Sequence, residues 1–143
     1  MLRRILYVSR VSEGVTDAIL RLIIARAQMN NRRSDLSGVL ALAPGLFAQV
    51  LEGAAEAIEH TLARIRADDR HFDIRVLSDT CTDTRFFDRW SMELLVDEKA
   101  ALLATAVRDG DKEADELIDH LRHQHAQDPI CWPRALNTLA ISA

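Results

Sequence analysis

The chain has 143 residues, 48% hydrophobic and 28% charged, enough apolar matter for one buried core under a charged surface. A net charge of −4 argues against non-specific binding to nucleic acid or an anionic membrane, and no apolar run reaches the length of a membrane span. Cys81 and Cys131 match no metal-ligand spacing and read as free thiols of a reducing cytoplasm, and no signal peptide is expected ahead of the first strand-like segment.

Residues 3–9 alternate as a strand, with Ile5, Tyr7 and Ser9 on one face and Leu6 and Val8 on the other. Both faces are largely apolar, which predicts a central strand. Ser12 to Gly14 reads as a turn and Thr16 as the N-cap of a helix running to about Met29. Ile19, Leu22, Ile23 and Ala27 form its main stripe, and Leu20 and Ile24 widen it. A stripe this wide predicts a helix that covers a sheet and touches something else. Asn30-Asn31 is expected to stop the helix, with a polar loop over residues 32–35.

Residues 36–42 and 46–51 read as a hairpin, joined at Ala43-Pro44-Gly45-Leu46 with Pro and Gly at the central positions of a type II turn. On its second strand Phe47, Gln49 and Leu51 share a face, so the Gln49 amide lies between two large apolar neighbours. Leaving such an amide buried without partners costs about 1–3 kcal/mol, so Gln49 is expected to have them. Glu52-Gly53 is expected to end the strand. A second helix follows over 54–67, with Ile58, Leu62 and Ile65 at i, i+4 and i+7, then a fourth strand over 73–80 and a short fifth over 90–94.

The order β-α-β-β-α-β predicts an α+β fold of the ferredoxin-like kind, a βαββαβ(β) sheet with two helices on one face. Beyond Val96, residues 97–107 and 112–125 read as helices separated by Asp109-Gly110. Ala114, Leu117, Ile118 and Leu121 give the second an apolar stripe that needs cover. The expected division is a domain over residues 1–96 and a C-terminal helical extension and tail over 97–143. His120, His123 and His125 have no fitting fourth ligand and read as exposed helix residues rather than a metal site.

Taken singly, Tyr7 reads as packing, Asn30-Asn31 as a helix stop, Arg70-His71 as a solvated loop, and Trp90 and Met92 as core. Taken together they read differently. Leu-Tyr-Val-Ser at 6–9, Asn30-Asn31 with Gly38 seven residues on, Phe-x-Gln-Val-Leu-Glu-Gly at 47–53, Asp-x-Arg-His at 68–71 and Arg-x-Phe-x-x-Trp-Ser-Met at 85–92 follow in order. In this the chain resembles the BLUF family of flavin-using blue-light sensors, over about residues 1–95. It departs from the family at Asp35, where a glycine is usual, at Leu42, where an aromatic is common, and at Ala48, where a larger apolar residue is common.

The resemblance implies a flavin between the two helices, FAD by expectation, with FMN or riboflavin as alternatives. Ile23 and Ile65 would lie on its faces. Asn31, with Asn30, would bond its polar edge, Arg70 and His71 would be nearby, and Gln49 would stand between it and Tyr7. Trp90 and Met92 would be alternative neighbours of Gln49. Tyr7 is the only tyrosine, so no other residue can supply a phenol. A glutamine amide both donates and accepts, so Gln49 can relay a proton and then sit differently.

The reading is a blue-light photoreceptor that is not an enzyme. The stretch beyond the core is too short for a catalytic output domain, and no Gly-rich phosphate loop or Ser–His–Asp pattern occurs. The signal would pass through the last strand and terminal helices to an unidentified downstream protein or to a homo-oligomer. The alternatives are a ferredoxin-like enzyme or small-ligand module, and a flavin-free interaction domain. Arg32 and Arg33 could meet a flavin phosphate, but a solvated loop is the preferred reading.

Overall fold

The computed structural model describes residues 1–43, 45–87, 93–96 and 98–127. The elements run β1 (Leu2–Val11), α1 (Asp17–Arg33), β2 (Ser37–Ala43), β3 (Leu46–Gly53), α2 (Ala55–Ala67), β4 (His71–Thr82), β5 (Glu93–Val96), α3 (Glu98–Arg108) and α4 (Ala114–Gln127). The sheet order is β4-β1-β3-β2-β5, with every neighbouring pair antiparallel except β5, which runs parallel to β2. The βαββαβ order and the central place of β1 are as the sequence predicts. Trp90, Met92, Pro44 and Cys131 lie outside the described residues.

Alternation along the strands divides the core in two. Ile5, Tyr7, Leu40, Leu42, Phe47 and Leu51 face one way and pack under Leu20 and Ile24 of α1 and Ile58 and Leu62 of α2. Leu6, Val8, Val39, Ala41, Ala48 and Val50 face the other way. They are covered by Ala100, Ala104 and Val107 of α3 and by Leu117, Ile118 and Leu121 of α4. The C-terminal helices thus form a layer on the back of the sheet. Gly38 lets β2 lie close to β3, because a Cβ there would stand 1.9 Å from the Val50 carbonyl oxygen.

Several expectations are corrected. α1 does not stop at Asn30-Asn31 but continues to Arg33, and Asn31 is buried. The stop falls at Asp35, which takes the left-handed conformation (φ 53°), while the Leu36 N–H bonds back to the Asn31 carbonyl at 2.8 Å. Asp35 therefore occupies a backbone conformation that suits the glycine usual there. The buried stripe of α1 is Leu20 and Ile24, whereas Leu22 is exposed and Ile23 half-buried. Glu52 and Gly53 do not end β3 but belong to it, and β4 begins two residues early, at His71. The fifth strand is described over Glu93–Val96, and residues 90–92 of the expected 90–94 lie outside the described residues.

Thr16 is the N-cap as predicted, its hydroxyl accepting from the Ile19 N–H at 3.3 Å. Gly45 has φ 76°, as the third residue of a type II turn requires.

Candidate functional site

Between α1 and α2, above β1 and β3, lies a cavity of about 270 Å³, near the lower end of the roughly 300–1,000 Å³ usual for small-molecule sites. Tyr7 and Gln49 form its floor with Phe47 and Leu40. Ile23, Ala27, Asn30 and Asn31 line it from α1, and Thr61 and Ile65 from α2. Asp68, Arg70 and His71 close one end, and the exposed Arg26 and Arg64 complete the lining.

Tyr7 and Gln49 meet because the β1–β3 register sets them directly opposite each other on the same face. Cross-strand partners have Cβ atoms about 4.5–5.5 Å apart, within reach of two long side chains. The Tyr7 hydroxyl donates to Gln49 Oε1, and each residue is only 4% exposed. Burial raises the Tyr7 pKa well above the ordinary phenol, and the charge of Asp68 adds to the effect. Tyr7 is therefore held as a neutral hydroxyl donor.

Arg70 is clamped on Asp68, with Nε to Oδ1 at 2.8 Å, a second guanidinium contact to Oδ2, and its own backbone N–H on Oδ1 at 3.0 Å. These bonds lower the Asp68 pKa and raise that of Arg70. His71 is committed on both ring nitrogens. Its Nε2 lies 2.7 Å from the Ile65 carbonyl, which can only accept, so Nε2 carries the hydrogen. Nδ1 then accepts from the Ser9 hydroxyl at 2.8 Å in the neutral ring. The His71 ring also stands edge-on to Phe47, with centroids 6.1 Å apart. His71 thus fixes the backbone of Ile65 rather than offering a nitrogen to the cavity.

The structure brings Tyr7, Ile23, Asn30, Asn31, Gln49, Ile65, Arg70 and His71 to one cavity. Arg32 and Arg33 are exposed in the last turn of α1 and do not line it. Thr61, Arg26, Arg64, Phe47 and Leu40 are lining residues that the sequence reading missed. Helical spacing could have found two of them. Thr61 precedes Ile65 by four residues and Arg26 follows Ile23 by three, so each shares a face with its neighbour. The Thr61 hydroxyl oxygen is buried and makes no hydrogen bond to any described group.

The residues present suit a flat heteroaromatic ring. Half-buried Ile23 and Ile65 supply apolar contact from two helices. The amides of Asn31 and Gln49 and the hydroxyl of Thr61 match an edge of alternating carbonyl and N–H groups, as a flavin has.

Outside the cavity, Glu52 is completely buried on the back face. It accepts from Arg4 Nε at 2.7 Å and from the backbone N–H groups of Phe86 at 2.9 Å and Phe87 at 2.7 Å. The Arg4 guanidinium lies 3.4 Å from the Phe86 ring centre, and that of Arg122 on α4 lies 4.0 Å from it.

Comparison with known proteins supplies a family. A model described as BLUF, sensors of blue light using FAD, matches residues 2–93. The beta subunits of photoactivated adenylate cyclase from Euglena gracilis and Euglena longa are 28% and 32% identical over 96 and 94 residues, covering 66% and 64% of this chain. The chain spans only 11% of the length of either subunit. Among solved structures, the ground state of BlsA superposes with a TM-score of 0.76 at 25% identity, covering 92% of both chains. The dark state of the BLUF protein BlrB gives 0.74 at 26% identity, covering 89% of this chain and 97% of that one. Klebsiella pneumoniae BlrP1, solved with FMN and cyclic diGMP, gives 0.64 at 27% identity, covering 77% of this chain and 35% of that one.

Proposed function

The chain belongs to the BLUF family, sensors of blue light using FAD, and from that premise we propose that its cavity holds a flavin and converts light into a new hydrogen-bond pattern around Gln49. The observation that carries this is the buried Tyr7–Gln49 hydrogen bond on the floor of the cavity.

In this reading Ile23 and Ile65 hold the ring between the helices, and Asn30 and Asn31 bond its polar edge. Arg70 and His71 act mainly by shaping the end wall, since their polar groups already bond Asp68, Ser9 and Ile65. Arg26 and Arg64, both exposed, suit the phosphates of FAD or FMN. FAD is the preferred form, as the family description has it. Trp90 and Met92 keep the role of alternative neighbours of Gln49 on motif grounds alone.

A bound flavin supplies absorption of blue light and an excited state that oxidises a neighbour. With a flavin bound, Tyr7 would serve as the electron donor to it. On losing an electron its hydroxyl would turn acidic and pass its proton along the existing bond to Gln49 Oε1, and electron and proton would both come back to Tyr7. Gln49 would be left rotated or tautomerised, because its two-sided amide allows both. Each altered hydrogen bond is worth about 0.5–1.5 kcal/mol, enough to shift a balanced equilibrium without unfolding anything.

The output passes through the sheet to β5, α3 and α4, and from there to a downstream protein or a second copy of the chain. The chain's own part is sensing rather than catalysis. No helix among the described residues is long and apolar enough to cross a membrane, and the free Cys81 thiol suits a cytoplasmic setting.

The test is purification in the dark. The protein should be yellow, release FAD on denaturation, and shift its visible band slightly to the red under blue light without bleaching. Colourless protein that takes up neither FAD, FMN nor riboflavin would overturn the proposal in favour of a flavin-free module.

A further inference from the structure

Thr61 lies in the interior of α2, at most 6% exposed, and its Oγ1 is the one buried side-chain polar atom without a hydrogen-bond partner among the described residues. A threonine inside a helix ordinarily relieves its hydroxyl on the carbonyl one turn earlier. Here that bond is not made. Other buried polar side chains are matched within the protein. Arg4 bonds Glu52, Ser9 bonds His71, Ser37 bonds Arg85 and Gln49 bonds Tyr7. A lone unsatisfied group in an otherwise satisfied interior calls for a partner from outside the chain.

Thr61 lines the cavity with Arg64 and Ile65, which share its helix face. Burial indicates which part of a ligand it meets. Asn31 on α1 and Thr61 on α2 are buried, whereas Arg26 and Arg64 on the same two helices are exposed. The ring of a flavin belongs with the buried pair, and its ribityl-phosphate tail with the exposed arginines.

We infer that the Thr61 hydroxyl, turned by a χ1 rotation from its buried position toward the cavity its residue lines, is a flavin-binding group, hydrogen-bonded to the polar edge of the ring from the α2 side as Asn31 is from α1. This rests on the flavin reading above. A hydroxyl donates to a ring carbonyl or nitrogen, or accepts from the ring N–H, and in each case it perturbs the ring electronically as well as holding it.

The experiment compares wild type with Thr61→Val, Thr61→Ala and Thr61→Ser, each loaded with riboflavin, which lacks the phosphate. Valine keeps the branched shape, alanine favours the helix, and serine keeps the hydroxyl. The expected result is that Val and Ala hold riboflavin about three- to ten-fold more weakly and displace its dark absorption band and carbonyl infrared bands. Ser should retain both. The flavin-free Val protein should melt no lower than flavin-free wild type, because it buries no unsatisfied hydroxyl, and a purely structural threonine would not give that sign. Wild-type affinity and unchanged bands in Val and Ala would overturn the inference. Failure of wild type itself to take up riboflavin would instead overturn the flavin reading.

Discussion

Tyr7 and Gln49 are each other's partner on the cavity floor, each only 4% exposed, so neither can be changed without consequence for the other. Gln49→Leu conserves size but leaves the Tyr7 hydroxyl without its acceptor. Tyr7→Phe leaves Gln49 Oε1 without its donor. Each single change is expected to lower stability by about 1–3 kcal/mol, the cost of an unmatched buried polar group. The double variant, which removes both, should lose less than the sum. Urea unfolding of the four proteins measures the coupling, and strict additivity would mean the bond contributes little. Both single variants should still bind flavin, since Asn31, Ile23 and Ile65 remain. Neither should give a persistent red shift, because one lacks the amide and the other the phenol. A normal, lasting shift in Gln49→Leu would rule out the amide as the switch.

At the level of elements, β3 carries two polar groups with opposite orientations. Gln49 faces the cavity, and Glu52, three residues on, faces the back of the sheet, as strand alternation requires. Glu52 fastens the Phe86–Phe87 segment through two backbone N–H groups and neutralises Arg4, whose guanidinium lies against the Phe86 ring that Arg122 of α4 also touches. One strand is thus tied both to the cavity floor and to the C-terminal layer. Removing the carboxylate takes the counter-charge from the buried Arg4 and an acceptor from the Phe86 and Phe87 N–H groups. Glu52→Ala is expected to cost about 3–5 kcal/mol, read by denaturant unfolding. A loss under about 1 kcal/mol would show that the segment is held by other contacts.

For the whole molecule, the sheet separates a ligand cavity from a helical layer. α3 and α4 bury Leu6, Val8, Val39, Ala41, Ala48 and Val50, so the expected boundary at Val96 cuts through a shared core. A chain ended at Val96 would bare this contiguous apolar face, the kind of surface that drives association. Such a chain should still bind flavin, since the cavity lies on the other face, but should self-associate without regard to light. Light scattering and the visible spectrum test the two halves separately. A monomeric short chain would mean the back face needs no cover, and loss of flavin would mean that the helices hold the cavity in shape.

Strand periodicity by itself determined that Ile5 and Tyr7 lie on one side of their strand and that Phe47, Gln49 and Leu51 lie on one side of theirs, because side-chain direction along a strand is local. Helical spacing likewise determined that Ile58, Leu62 and Ile65 lie together, and the order of elements determined the ferredoxin-like topology. The partners of those faces were decided only in three dimensions. Tyr7 and Gln49 are 42 positions apart, and their bond depends on the register of two strands that are not neighbours in sequence. Asn30-Asn31 has the composition of a helix stop, yet burial of Asn31 and the left-handed turn at Asp35 carry the helix past it. Glu52 has the composition of a surface strand end, and only the approach of Arg4 and the Phe86–Phe87 backbone makes its burial tolerable. The unmatched Thr61 hydroxyl was wholly a tertiary outcome, since a missing hydrogen bond is a property of everything packed around an atom rather than of the residues beside it in the chain.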